Sequence, residues 1–172
     1  MANNYLQFSV AVEINPDKMI QLKELDQWQN EIFNNDVDFD VELIIKTAPE
    51  FIQPILQNTD YVRDLLIYAG FSTTLEQDKY YVYCEECGNV DAAVTWIYTL
   101  LQADLLQPKR GYVVFTWAET CDKPRVDEFG GGCAMISKIG IEFQQNPYNW
   151  AIDAYDQLRR DLAYQHNHQE IV

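Results

Sequence analysis

Along residues 5–14, YLQFSVAVEI, apolar and polar positions alternate: Leu6, Phe8, Val10, Val12 and Ile14 fall on one side, Gln7, Ser9 and Glu13 on the other. A period of two predicts a strand with one buried face. The period changes at Asn15-Pro16-Asp17, a helix start with a capping side chain, a proline at the first helical position and an acid suited to the dipole. Leu22, Leu25, Trp28 or Gln29, and Ile32 then recur at helical spacing. Alternation returns over residues 37–46, where Val37, Phe39, Val41, Leu43 and Ile45 oppose Asp38, Asp40 and Glu42. This predicts a second strand whose outer row is acidic.

Thr47 and Glu50 form a capping box for the next helix, which Pro54 keeps short or kinked. A further helix is predicted from Thr59, with Val62, Leu65, Leu66 and Ala69 on one stripe and Gly70 as its stop. Residues 71–84 read as two short strands about a turn at Gln77-Asp78, and Asn89 caps a helix whose apolar side carries Val90, Ala93, Val94, Ile97, Leu100 and Leu101. The run YVVFTWAE, 112–119, is apolar on both faces, which predicts a central strand. A hairpin about Gly140 follows, and Asn146-Pro147 opens a last helix bearing Trp150, Ile152, Tyr155, Leu158 and Leu162.

Alternating strands and helices followed by hairpins predict a single α+β domain over residues 1–165 with a polar tail at 166–172. The expected architecture is a mixed β-sheet with helices packed mainly on one face, ferredoxin-like or related. If strands 79–84 and 112–119 are parallel neighbours, the helix between them makes a right-handed crossover.

At 172 residues and 48% hydrophobic, the chain can bury a sizeable core. Its formal charge of −15, from 12 Lys and Arg against 27 Asp and Glu, does more to narrow function. Such a surface repels phosphate backbones and anionic lipid, so direct nucleic-acid and membrane binding are not expected, and a basic protein is the favoured partner. The plainer use of the same charge is solubility. No stretch approaches the roughly 20 apolar residues of a membrane span, and the N-terminal residues lack the pattern of a secretion signal, so a cytoplasmic location with reduced thiols is expected.

The chemistry concentrates in two stretches. CEECG, 84–88, places two thiols at the spacing of half a zinc site, but completing the site requires Cys121 and Cys133 to converge on them. The other reading is small apolar packing, and Glu85 and Glu86 between the thiols oppose a redox thiolate. We expect no metal and no cofactor. The second stretch, TWAETCDKPRVDEFGGG, 116–132, sets Lys123 and Arg125 between Glu119 and Glu128 and ends in Gly130, Gly131 and Gly132.

If the carboxyl ends of strands 79–84 and 112–119 adjoin, Glu85 and Glu86 meet Lys123 and Arg125 in an ion-pair clamp. Alternatively the cations and glycine amides cradle a small anion such as a nucleotide phosphate. The spacing matches neither common nucleotide loop, and the glycines can equally start a strand where another backbone passes closely. Ser9, Ser72 and Ser137 have no histidine nearby in sequence for nucleophilic catalysis, which inclines the reading away from an enzyme.

CEECGNVDAAVTWIYTLL followed by FTWAETCDKPRVDEFGGG resembles a family of small, mostly uncharacterised proteins of phages, plasmids and bacterial genomes, over roughly residues 79–143. Its pattern joins a Glu-Glu-x-Gly element before a helix to a Thr-Cys-x-Lys-Pro-Arg-x-x-Glu-Phe-Gly-Gly-Gly loop. The resemblance implies that Lys123, Pro124, Arg125, Glu128, Phe129 and Gly130–Gly132 act with Glu85, Glu86 and Gly88. Cys84, Cys87 and Cys133 depart from the pattern, which counts against zinc. Cys121 fits it and is assigned to packing.

The expected function is a non-enzymatic acidic interaction protein, of the inhibitor, immunity or anti-defence kind, with Asp38, Asp40 and Glu42 as its acidic face. The alternative is a binder of, or enzyme acting on, a small anionic ligand at the 123–132 loop.

Overall fold

A computed structural model of the protein describes residues 4–34, 40–58, 69–121 and 130–145. Six strands make one sheet: β1 (Asn4–Glu13), β2 (Ser72–Glu76), β3 (Lys79–Cys84), β4 (Tyr112–Cys121), β5 (Gly130–Ser137) and β6 (Gly140–Gln145), in the order β2-β3-β1-β4-β5-β6. Among the described residues four α-helices accompany them: α1 (Met19–Asn34), α2 (Val41–Thr47), α3 (Gln53–Gln57) and α4 (Val90–Gln102).

The chain is an α+β domain whose sheet is antiparallel throughout its named strands, not mixed. The reason lies in the connections. The passage from β1 to β2 skips the place taken by β3, and the passage from β3 through α4 to β4 skips the place taken by β1. Strands β3 and β4 are therefore parallel to each other but not neighbours, because β1 runs between them and against both. The order of the first four strands is that of the split β-α-β unit, extended by the β5–β6 hairpin.

Strands β1, β3, β4 and β5 each bury one face. Phe8 and Val12 of β1, Tyr80 and Val82 of β3, Val113 and Phe115 of β4, and Ala134 and Ile136 of β5 enter one core with Leu22, Leu25, Trp28 and Ile32 of α1. Gln29 is buried beside Trp28, so both alternatives at that turn of the helix face inward. Helix α4 starts as expected, with the Asn89 side chain accepting from Ala92 N. Its burial extends almost round the helix, because the sheet lies on one side and α3 packs on the other.

Residues 41–47 correct the expected second strand. Asp40 Oδ1 accepts from Glu42 N at 3.0 Å and from Leu43 N at 3.4 Å, so Asp40 caps a helix. Ile44, Ile45 and Ala48 are buried and Val41 partly so, which is the three-and-four spacing of a helical stripe. Asp40 and Glu42 are consequently a cap and a first-turn residue, not members of one strand row. Asp38 lies outside the described residues.

Thr47 is likewise not a helix cap. It ends α2, donating to Ile44 O and accepting from Trp28 Nε1 at 3.1 Å. Helix α3 is short, five residues, with Pro54 in its first turn. Residues 59–68 of the helix expected from Thr59, and the helix expected from 146 onward, also fall outside the described residues; Gly70, the expected stop of the first, has a φ of +58°.

A buried polar chain crosses the interface between α1, β3 and α4. Trp96 Nε1 donates to Tyr80 Oη at 3.1 Å, and Tyr80 Oη donates to Gln29 Oε1 at 3.0 Å. Burial pushes the Tyr80 phenol far above its ordinary range and so keeps it neutral. At the surface, Lys138 pairs with Asp104 and Gln102 Nε2 donates to Lys138 O at 2.7 Å, tying the β5–β6 turn to the end of α4.

Candidate functional site: the open face of the sheet

Strand alternation that sends Phe8 and Phe115 into the core sends their neighbours the other way. Gln7, Ser9 and Ala11 of β1 and Tyr112, Val114, Thr116 and Ala118 of β4 are exposed, with Tyr81 and Tyr83 of β3 half-buried beside them. Among the described residues no second layer packs on this face. Val114 keeps 55% of its surface accessible and Tyr112 38%, a high exposure for apolar and aromatic side chains in the middle of a sheet. Strand β4 is apolar on both faces and interior to the sheet, yet only one of its faces is buried.

A shallow hollow of about 520 Å³ lies on this face across β3, β1 and β4. Gln7, Ser9, Tyr83, Glu85, Thr116 and Ala118 present side chains to it. Phe8, Cys84 and Trp117 turn inward by alternation and give their backbone to its floor. The hollow sits where the β1–β4 pairing, which begins at Asn4–Cys121, ends at Phe8–Trp117.

The segment after β3 is held by β1. Leu6 N donates to Glu86 O at 2.6 Å, Gly88 N donates to Leu6 O at 3.1 Å, and Gln7 Nε2 donates to Glu85 O at 2.7 Å. These bonds turn the chain back alongside Leu6, where Cys87 makes a parallel bridge. Gly88 permits the turn, since a Cβ there would stand 2.3 Å from Phe8 Cε1. The result fixes Glu85 at the rim of the hollow with Glu86 beside it, both exposed.

Because β3 and β4 are parallel, their carboxyl ends lie at the same end of the sheet with the start of β1 between them. Glu119 of β4, also exposed, lies at that end too, but it alternates with the inward Trp117 row and so stands on the other face of the sheet from the hollow. Among the described residues no Lys or Arg lies within 4.0 Å of these three carboxylates; the ion pairs are Lys109 with Glu13 and Lys138 with Asp104.

Lys123, Arg125 and Glu128 lie outside the described residues. Gly130, Gly131 and Gly132 open β5 in register with Glu119, Ala118 and Trp117. A Cβ on Gly132 would stand 2.3 Å from Trp117 Cζ2, and one on Gly131, whose φ is +148°, 2.5 Å from Trp117 O. Close passage of β4 thus accounts for both residues. Cys84, Cys87 and Cys133 are free thiols, and among the described residues no group of three or more His, Cys, Asp or Glu side chains is placed to hold a metal ion.

Glu85 and Glu86 are legible in the sequence at a strand end, whereas the hollow is not. Its side chains come from three strands far apart in the chain and share no motif. The usable signals were the polar row of β1 together with apolar residues on both faces of β4.

Compared with protein-family models, curated proteins and solved structures, the chain matches none. Among the described residues no helix is long and apolar enough to cross a membrane.

Proposed function

We propose that the protein is a non-enzymatic acidic receptor for a basic protein, which it engages through the open face of its sheet and the carboxylates at the sheet's end. The observation that carries this reading is the pairing of an exposed, partly aromatic sheet face with Glu85 and Glu86 at its end, neither of which has a described cation within salt-bridge distance. Exposed aromatic and apolar side chains surrounded by polar ones are the usual composition of an interaction surface. The chain's charge of −15 accelerates encounter with a basic partner and makes binding salt-sensitive. An inhibitor, immunity or anti-defence role inside the cell suits these properties and the resemblance to phage and plasmid proteins.

Affinity capture at low and high ionic strength tests the proposal. Retention of one or a few proteins of high isoelectric point at low salt, released as salt rises, is the expected result. Retaining no basic protein at either salt concentration refutes it.

A further inference from the structure

The hollow over β3, β1 and β4 has a composition that selects by charge. Glu85 stands at one rim, its backbone carbonyl accepting from Gln7 Nε2. The Tyr83 side chain stands beside it, and Ser9 and Thr116 supply hydroxyls able to accept hydrogen bonds. Among the described residues no Lys or Arg lines it. A carboxylate next to an aromatic side chain with only neutral acceptors around them attracts a cation and repels a phosphate or carboxylate. A planar guanidinium suits it best, stacking on the ring while its several donors reach the carboxylate and hydroxyls.

We infer that this hollow receives an arginine side chain of the basic partner, its guanidinium over the Tyr83 ring and against Glu85. The inference rests on the reading of the open face as the partner-binding surface and adds which group on the partner is read, and where. Lysine fits less well, because a compact ammonium neither stacks nor forks across the same set of acceptors.

The test is a heteronuclear NMR titration of the full chain with N-acetyl-arginine amide at millimolar concentration, with N-acetyl-citrulline amide as the neutral counterpart of the same shape. The expected result is saturable shifts at Gln7, Ser9, Tyr83, Glu85 and Thr116 with arginine and none with citrulline. Glu85→Gln should weaken the arginine response about five-fold, the scale of one exposed ion pair. Tyr83→Leu should weaken it too while leaving the spectrum as dispersed as wild type. Equal responses to arginine and citrulline, shifts scattered over carboxylates such as Asp17, Glu24 and Glu42, or no shifts at all overturn the inference. Salt-sensitive retention of a basic partner that survives both substitutions also overturns it while leaving the broader proposal standing; failure of wild type to retain any basic partner removes the broader proposal itself.

Discussion

The two faces of the sheet are written by the same residues taken alternately, and they obey different rules. On the inner face the Phe8 ring packs tilted against that of Phe115, 5.0 Å between centroids, and Tyr80, Val82 and Ile136 are sealed from solvent. One residue further along each strand, Ser9, Thr116 and Tyr83 face outward around a hollow. Packing dictates the inner row, where volume matters to within a methylene. Nothing among the described residues dictates the outer row. Its tyrosines, hydroxyls and carboxylates are therefore the better guide to what the protein does.

The sharpest way to break this contrast is to substitute neighbouring residues of β4. Phe115→Ala, at a fully buried site, should cost about 3–5 kcal/mol in denaturant unfolding. Tyr80→Phe should cost less, about 1–3 kcal/mol, because it removes both the acceptor of Trp96 and the donor to Gln29. The outward Thr116→Ala should move stability by no more than about 0.5 kcal/mol. If Thr116→Ala destabilises as much as Phe115→Ala, the outer face is a packed surface and the contrast fails.

The smallest expected effect concerns pH, at the edge of the inner face. Asp26 sits half-buried on α1, and desolvation raises its pKa despite the bond its Oδ1 accepts from Thr73. A carboxyl with a raised folded-state pKa holds its proton longer in the native state than in the unfolded chain. Stability should therefore fall as pH rises from the ordinary Asp range through the raised value, then level off. Asp26→Asn should flatten that slope, as read from thermal midpoints across the acid range.

Much of the inner face was legible in the chain, since β1, the 72–84 hairpin, the Asn89 cap and the β5–β6 hairpin all carry their own periodicity and turn chemistry. Residues 41–47 were not, because Val41, Leu43 and Ile45 satisfy a period of two while Val41, Ile44, Ile45 and Ala48 satisfy a helical stripe. The Asp40 cap and burial of Ile44 and Ile45 decide between them. Sheet order was also hidden: each crossover skips one strand, a long-range choice that no local pattern records. The open outer face was hidden for a related reason, since Tyr112 and Val114 look like core residues until the other face of β4 is seen to fill the core alone. At the candidate site, Glu85 and Glu86 were visible as a motif, whereas Ser9, Tyr83 and Thr116 meet only through the fold.

Hydroxyl-radical footprinting of the protein alone and with its captured basic partner tests the central claim most directly, because tyrosine and methionine oxidise readily and Tyr81, Tyr83, Tyr112 and Met135 all mark the open face. The partner should shield these residues while Ile20 and Leu43, exposed on α1 and α2, keep their free-state reactivity. Shielding of Ile20 and Leu43 with the tyrosines of the sheet unchanged would contradict it.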